Sequence, residues 1–222
     1  MCMRFIKRYY QIMKIKFPRG KLIAVFGPDG SGKSTIYHHL KIYCERESIN
    51  LSHFHWRPGF LPYSTKISIR NSDDGFTNPH FYKGRNTLVS TVILFYILLD
   101  FLLGYWFVIR PKLNSGVSIY YERYYHDVLL DEVRYNLSTP RFLRTLFSKF
   151  VFEPDHIIIL SAPAEIIYAR KKELTLDEII IQQKRLSEVF EYSNKVTVFN
   201  VEKNLPELSA QYVFKILRES NG

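Results

Sequence analysis

Cysteine is nearly absent from this chain of 222 residues, since only Cys2 and Cys44 are present. Two thiols, one of them at the very start of the sequence, do not make a disulfide scaffold, and their scarcity indicates a reducing compartment. We therefore expect a cytoplasmic protein.

Acidic residues are also scarce: 21 Asp and Glu face 31 Lys and Arg, which leaves a formal net charge of +10. This excess favours anionic partners, and polyphosphate substrates explain part of it. Nucleic acid is an unlikely partner because no recognisable nucleic-acid-reading element accompanies the charge. The chain also lacks internal repeats, low-complexity tracts and breaks in composition, so its length suits one domain with an ample core.

An uninterrupted apolar core is missing from residues 1–20, where six basic residues alternate with aromatic and aliphatic ones. This pattern excludes a secretory signal peptide. We expect a basic N-terminal extension that is solvated or loosely packed. The alternative is an arm that makes peripheral contact with an acidic membrane surface.

One long hydrophobic run does occur, from Leu88 to Ile109, and it is long enough to span a bilayer. Asp100 near its centre would cost about 2.5 to 3.5 kcal/mol on insertion. A single crossing would also separate Lys33 from Arg123, which belong to one predicted site. The run is therefore predicted to be a core helix, with no transmembrane span.

A glycine-rich loop carries the strongest functional signal. The sequence GPDGSGKS, residues 27–34, directly follows the apolar strand-like run Leu22 to Phe26. Three glycines let the backbone turn its amides towards one centre, and the next helix points its positive end at the same spot. Lys33 is predicted to reach the β- and γ-phosphates of ATP, and Ser34 to offer its hydroxyl to Mg²⁺. The predicted cofactor-binding residues of the loop are Gly27, Pro28, Asp29, Gly30, Ser31, Gly32, Lys33, Ser34 and Thr35.

Strand and helix signals alternate along the chain. The pattern predicts strands at Leu22 to Phe26, Leu51 to Trp56, Val117 to Tyr121, His156 to Leu160 and Lys195 to Phe199. It predicts helices near 33–47, 87–110, 127–148, 164–172, 176–193 and 206–219. Such alternation implies a single α/β domain over residues 21–222, with a central five-stranded parallel sheet flanked by helices on both faces.

Ligands of open α/β sheets bind at the carboxyl ends of the strands, where polar clusters are found here. Glu122 follows the third strand and is predicted to hold Mg²⁺, directly or through water, while Arg123 clamps a phosphate. Arg57 closes the second strand and is predicted to face an anion. The nearby His53 and His55 are expected to pack or form hydrogen bonds, because no further metal ligands stand at zinc spacing.

Two further segments are predicted to move. Residues 58–86 form a long polar excursion, and such loops in compact domains are usually functional or disordered. Residues 169–176 are basic and are predicted to form a short lid, in which Arg170 and Lys171 contact the nucleotide's phosphates. A solvated basic helix end is the alternative for this second segment.

Four segments, taken in order, resemble thymidylate kinases and their divergent thymidylate-kinase-like relatives. They are the loop Phe26 to Thr35, the turn Arg57-Pro58-Gly59, the strand end Glu122-Arg123-Tyr124, and Ala162 to Arg170. The resemblance covers most of residues 21–220 and implies a P-loop nucleoside monophosphate kinase fold that transfers a phosphoryl group from Mg²⁺-ATP. It also implies a homodimer, for which the apolar helix could supply the shared face.

The same resemblance assigns roles to individual residues. Lys33 and Ser34 would serve the donor phosphates and Mg²⁺, Asp29 would approach the acceptor's sugar or attacking group, and Arg123 would hold the acceptor phosphate. The predicted catalytic residues are Lys33, Arg123, Asp29 and Glu122. The predicted substrate-binding residues are Arg57, Asp100, Arg123 and Tyr124, and the predicted metal ligands are Ser34 and Glu122. Whether Asp29, Glu122 or Asp127 assists the attacking oxygen stays open.

Three departures from the family pattern leave the acceptor open. Glu122 stands where the family usually has Asp, and the arginine of the Arg57 turn is shifted by one place. Phe101 and its apolar successors follow Asp100, where true thymidylate kinases carry a phosphate-gripping arginine. The leading hypothesis is a nucleoside monophosphate kinase of the thymidylate-kinase-like type. The alternatives are a kinase for a sugar or glycan acceptor in surface polysaccharide synthesis, and a non-catalytic ATP-binding module associated with a membrane or partner.

Overall fold

The computed structural model describes residues 19–62, 86–131, 134–172, 174–191, 193–202 and 206–219. Most of the predicted N-terminal extension and of the 58–86 excursion therefore lies outside the described residues. What is described includes the full length of every strand and helix named below.

Five parallel strands form one central sheet, which confirms the predicted fold class. They are β1 (Leu22–Phe26), β2 (Leu51–His55), β3 (Ser118–Glu122), β4 (His156–Ser161) and β5 (Val196–Asn200), in the order β2-β3-β1-β4-β5. β1 lies in the middle, and its Val25 is paired with Glu122 of β3 and Ile158 of β4. Because all strands run the same way, the segments that follow β1 and β3 emerge side by side at one edge.

Helices cover both faces of this sheet. In chain order they are α1 (Lys33–Arg46), α2 (Thr87–Gly104), α3 (Arg110–Asn114), α4 (Asp127–Leu130), α5 (Arg141–Ser148), α6 (Ala164–Arg170), α7 (Leu176–Phe190) and α8 (Pro206–Arg218), with a π-helical turn at Tyr105–Ile109 between α2 and α3.

The side chains of β1 alternate between two cores, as a strand buried on both faces requires. Leu22, Ala24 and Phe26 join the core under α2, α4 and the end of α7. Ile23 and Val25 join the core under α1, α6 and α8. The central strand is thus held from both sides, and the loop that follows it starts from a fixed point.

The prediction of a single helix at 127–148 is wrong, because the structure has two short helices there. Residue 131 and residues 134–140 are not helical, and α5 begins only after Pro140. Proline lacks a backbone donor and disfavours helical geometry in the residue before it. Asn136 adopts a left-handed conformation with φ of 47°, which also breaks the helix. The predicted helix at 87–110 likewise differs, since π-helical geometry interrupts it after Gly104.

The hydrophobic run covers α2 and the π-helical turn after it, and the segment 87–114 is long and apolar enough to cross a membrane by length and composition, since an 18-residue window within it has a mean hydropathy of 2.3. In this structure 44% of that window is buried. One side of α2 packs on the core, while Leu88, Val92 and Phe95 are exposed on the other. Phe142 of α5 is exposed as well. A homodimer through this apolar surface stays a prediction.

Asp100 fixes the turn after β2 onto α2. Its Oδ2 accepts a hydrogen bond from Arg57 Nε at 2.7 Å, and its Oδ1 accepts one from the backbone nitrogen of Leu61 at 2.6 Å. One turn further along α2, a Cβ atom on Gly104 would lie 2.4 Å from the Cβ of Pro58. Only glycine permits this close approach, so charge and shape together clamp the turn to the helix.

Asp100→Ala is expected to destabilise the protein by about 3 to 5 kcal/mol, because it leaves the Arg57 guanidinium buried without its carboxylate. Urea denaturation at neutral pH measures the change. The control is Glu188→Ala, which breaks an exposed ion pair with Arg141 of 2.9 Å and should leave the midpoint nearly unchanged. Equal midpoints for both variants would contradict the role given to Asp100.

His126 generates a second prediction, about acid stability. Its side chain is half-buried among aromatic neighbours, with Nδ1 shielded from solvent and the Phe190 ring centroid at 5.3 Å. Burial lowers the pKa of His126 to about 4, well below the usual 6.5. Between these two values the unfolded chain binds a proton that the folded one excludes, so stability falls as the pH drops from 6.5 towards 4.

The resulting loss in the free energy of unfolding amounts to about 3 kcal/mol at pH 4, relative to neutral pH. Replacing His126 by Phe removes this loss while preserving an aromatic ring in the core. Unfolding free energies of both proteins near pH 7 and near pH 4.5 are expected to show the variant gaining relative to the wild type at the lower pH. A difference that does not change with pH would show that His126 is not excluded from protonation.

Candidate phosphate-binding site at the end of β1

The glycine-rich loop leaves β1 and enters α1 directly. Gly30 and Gly32 have φ angles of 88° and 93°, a left-handed geometry that residues with side chains rarely adopt. No side chain caps the N-terminus of α1, and the first turn of that helix contains no acidic residue. The exposed backbone donors and the positive end of the helix dipole therefore point at the loop, where an anion would be stabilised.

Lys33 lies across this loop with a nearly buried side chain. Its Nζ donates hydrogen bonds to the carbonyl oxygens of Gly27 and Pro28, at 2.8 and 2.9 Å. The Tyr120 hydroxyl donates to the Lys33 carbonyl at 2.8 Å and anchors the start of α1. Burial, followed by the charge of Arg123, lowers the pKa of Lys33 to about 8. The ammonium group is thus held above the loop and is still mostly protonated at neutral pH.

Ser34 and Glu122 meet beside Lys33. The Ser34 hydroxyl donates to Glu122 Oε1 at 3.5 Å, and His53 Nε2 lies 3.1 Å from the same oxygen. Burial raises the pKa of Glu122, but the hydrogen bond to His53 and the charge of Lys33 outweigh it and hold that pKa below its usual range. His53 also stacks on Tyr37 with ring centroids 4.3 Å apart, so it packs and hydrogen-bonds as predicted.

This pair suits a magnesium ion that arrives with a nucleotide. Over the part of the chain that the structure describes, no three His, Cys, Asp or Glu side chains gather into a metal-binding group. Nucleotide-bound Mg²⁺ does not need one, because it keeps waters and phosphate oxygens and takes only one or two protein ligands. The Ser34 hydroxyl and the ionised Glu122 carboxylate fit that requirement, and the longer glutamate side chain still reaches Ser34.

Asp29 joins two arginines on the other side of the loop. Its Oδ1 accepts from Arg123 Nη2 and its Oδ2 accepts from Arg134 Nη2, both over short distances. Arg123 also lies 3.5 Å from Asp127, and Arg134 Nε lies 3.0 Å from Asp131. Burial raises the pKa of Asp29, but the arginines and Lys33 outweigh it and leave that pKa far below its usual range. Asp29 is therefore an ionised bridge between two guanidinium groups.

Arg134 is a site residue that the sequence analysis missed. It lies within the stretch interpreted as one continuous helix, where an arginine suggests only a solvated surface. The available signal was the combination of Asp131 three residues before it with Asn136 and Pro140 after it, since turn-forming residues argue against a continuous helix.

The end of α6 packs against the glycine-rich loop. A Cβ atom on Gly30 would lie 3.1 Å from the Cβ of Lys171 and 3.2 Å from the carbonyl oxygen of Ile167. Arg170 and Lys171 are both exposed at this helix end. Lys171 of the predicted lid thus lies next to the loop, with Arg170 directly before it in the chain, and residue 173 of the segment 169–176 lies outside the described residues.

The other predicted substrate contacts are placed elsewhere. Arg57 and Asp100 pair with each other in the core, and the buried Tyr124 donates its hydroxyl to the carbonyl oxygen of Phe152 at 2.8 Å. The structure does not bring these three side chains into the cluster around Asp29. Their role in substrate binding stays a prediction, and the contacts above give each of them a structural task.

No protein-family model matches the chain, and no curated protein sequence matches it either. The likeness to thymidylate kinases therefore rests on the motifs in the sequence and stays a prediction. The fold itself, an all-parallel α/β sheet with the glycine-rich loop after its central strand, stands on the structure.

Proposed function

We propose that this protein is an ATP-dependent kinase of the thymidylate-kinase-like type, which transfers the γ-phosphoryl group of ATP to a small acceptor, a nucleoside monophosphate. One observation carries the proposal. At the uncapped start of α1, the Lys33 ammonium is held on loop carbonyls, and the Ser34 hydroxyl lies 3.5 Å from an ionised Glu122.

On the donor side, these groups supply what a triphosphate requires. The loop amides and Lys33 would bind phosphate oxygens, with Lys33 exchanging the carbonyls of Gly27 and Pro28 for them. Ser34 and Glu122 would hold Mg²⁺, which neutralises phosphate charge when bound. Lys171, which packs against Gly30, and the neighbouring Arg170 would act as the lid.

On the acceptor side, Asp29 belongs to the same loop and Arg123 pairs with it. Phosphoryl transfer forms a bond from an acceptor oxygen to the γ-phosphorus and breaks the bond to the β,γ-bridging oxygen. Proteins assist it chiefly by positioning the reactants and by neutralising charge. The ion pairs of Lys33 and Arg123 with Asp29 place two positively charged side chains beside the loop, where they would neutralise phosphate charge.

Two alternative functions, together with the cellular location and the oligomeric state of the protein, also stay proposals. The sugar or glycan kinase needs the same donor site with a different acceptor surface, and the non-catalytic module needs only the donor site. A cytoplasmic location and a homodimer complete the proposal.

Lys33→Ala is expected to weaken Mg²⁺-ATP binding by roughly 100-fold and to abolish turnover, because it removes the charge that contacts the transferred phosphate. Isothermal titration calorimetry measures binding, and coupled ADP release measures turnover against dTMP, other nucleotides and phosphosugars. Lys41→Ala is the matched control, since Lys41 lies on the same helix and its exposed side chain pairs with the exposed Glu45.

Near-normal turnover by Lys33→Ala would overturn the donor-site assignment. Tight ATP binding by the wild type, with no acceptor accelerating ADP release, would favour the non-catalytic module instead.

The pKa of Lys33 yields a further prediction, that ATP binding takes up a proton in alkaline solution. Free Lys33 titrates at about 8, and a bound triphosphate raises that pKa because it favours the charged amine. Binding near pH 8 should therefore take up about half a proton, and affinity should fall as the pH rises further. Calorimetry in two buffers of different ionisation enthalpy measures the uptake. If ATP binding takes up no proton near pH 8, and none at higher pH, the role given to Lys33 is contradicted.

A further inference from the structure

We propose that Arg123 and Arg134 form a two-arginine clamp for an anionic group of the acceptor, and that Asp29 occupies this clamp until the acceptor arrives. The inference rests on the proposed function and extends it. Arg134 supplies the second arm, from the irregular segment between α4 and α5, and becomes a determinant of acceptor specificity.

The geometry of Asp29 is that of a bound anion. Each of its two carboxylate oxygens faces a different guanidinium group, so the carboxylate bridges Arg123 and Arg134. Two oxygens of a phosphate monoester present the same arrangement of acceptors to a pair of arginines. Side-chain exposures of 9% for Arg123 and 19% for Arg134 show a site that is shielded yet open to solvent.

Each arginine also has a carboxylate of its own. Arg123 lies 3.5 Å from Asp127, and Arg134 is paired with Asp131 through its Nε at 3.0 Å. Gln182 donates to the Asp131 carboxylate at 2.9 Å and holds it in place. These partners orient the two guanidinium groups, and within the part of the chain that the structure describes Asp29 is the anion that both share.

The net charge of the cluster changes when the Asp29 carboxylate leaves the two arginines. Among the described residues, the ion pairs of the cluster join Lys33 and the two arginines to the carboxylates of Asp29, Asp127 and Asp131, so three positive charges face three negative ones. Without Asp29, three positive charges face two. The clamp then has a net positive charge, which favours an incoming anion over a neutral group.

The segment that carries Arg134 is held in place by local contacts. Asp131 Oδ1 accepts from the backbone nitrogen of Arg134 at 2.9 Å. Tyr135 stacks on Trp56, with ring centroids 4.0 Å apart, and donates its hydroxyl to Asp127. The clamp is therefore built before any ligand arrives, and only Asp29 has to move.

The clamp compensates for a basic group that α2 lacks. With Asp100 committed to Arg57, the core helix offers no phosphate contact, whereas Arg134 reaches the cluster from another part of the fold. An acceptor that already carries a phosphate or another anion suits this site, and a neutral sugar does not use it.

The test uses methyl phosphate, a minimal phosphate monoester, and the full-length protein saturated with Mg²⁺ and AMP-PNP so that the donor loop is filled. Binding is followed by ³¹P NMR titration. Arg134→Gln should weaken methyl phosphate binding about tenfold or more, because one charge-assisted contact is lost. Asp29→Asn should strengthen it several-fold, because the competing internal anion is gone.

Opposite shifts in these two variants are the signature of the clamp, since general structural damage would weaken binding in both. Arg134→Lys should restore part of the affinity that Arg134→Gln loses. Arg141→Gln is the matched control: it removes the same charge from an exposed pair with Glu188 and should leave methyl phosphate binding unchanged.

Wild-type protein that binds AMP-PNP but not methyl phosphate would overturn the clamp and leave the donor site intact. So would an unchanged affinity in Arg134→Gln, or a weaker one in Asp29→Asn. Failure to bind AMP-PNP would instead overturn the proposed function, and the titrations of the Arg134 variants would still decide the clamp because Arg134 lies outside the loop.

Discussion

The bridge between Asp29 and its two arginines is the interaction on which the site depends. Lys33, Arg123 and Arg134 bring three positive charges into one largely buried cluster. Desolvating like charges at close range costs several kcal/mol unless opposite charges compensate. Asp29 provides part of that compensation from the loop itself, together with Asp127 and Asp131, and so keeps the cations aligned. Under the proposed function, the same carboxylate would give way or share its partners when an anionic acceptor binds.

The sheet delivers these groups to one edge through an unusual backbone feature. Trp56 and Arg123 follow β2 and β3 and have φ angles of 66° and 57°, which are rare for residues with side chains. The backbone nitrogen of Trp56 still donates to the backbone carbonyl oxygen of Glu122 at 2.9 Å, so the hydrogen bonding between β2 and β3 continues one residue beyond β2 before the chain turns. Such strain persists only where the surroundings enforce it, and here it aims Arg123 at the loop.

Local pattern was sufficient to predict the glycine-rich loop and the elements on either side of it. The bounds of β1 and the start of α1 agree with the prediction because an apolar run followed by a glycine-rich turn carries its own geometry in adjacent residues. The five strands were also predicted to within a residue or two at each end, since buried parallel strands read as short apolar runs bounded by breakers.

The arginine cluster around Asp29 could not be predicted in this way. Arg134 contacts Asp29 across 105 positions of sequence, and periodicity contains no information about such pairings. The apolar and basic spacing of residues 127–148 also favoured a continuous helix, whereas Asn136 and Pro140 impose the break that positions Arg134. Asp100 and Arg57 were each identified as notable charges, but their partnership over 43 positions appears only when the turn and helix are brought together.

That partnership connects two departures from the thymidylate kinase pattern that looked independent in the sequence. An arginine shifted by one place in the turn is positioned here to pair with Asp100 inside the core, at 2.7 Å. An arginine after Asp100, where Phe101 stands, would enter the core at a position that is fully buried. Relative to that pattern, the inward-facing turn arginine and the apolar helix are thus two parts of one packed unit in the interior of the fold. Under the proposed function, a basic contact for the acceptor would then come from a segment outside this unit, and Arg134 lies in such a segment, between α4 and α5.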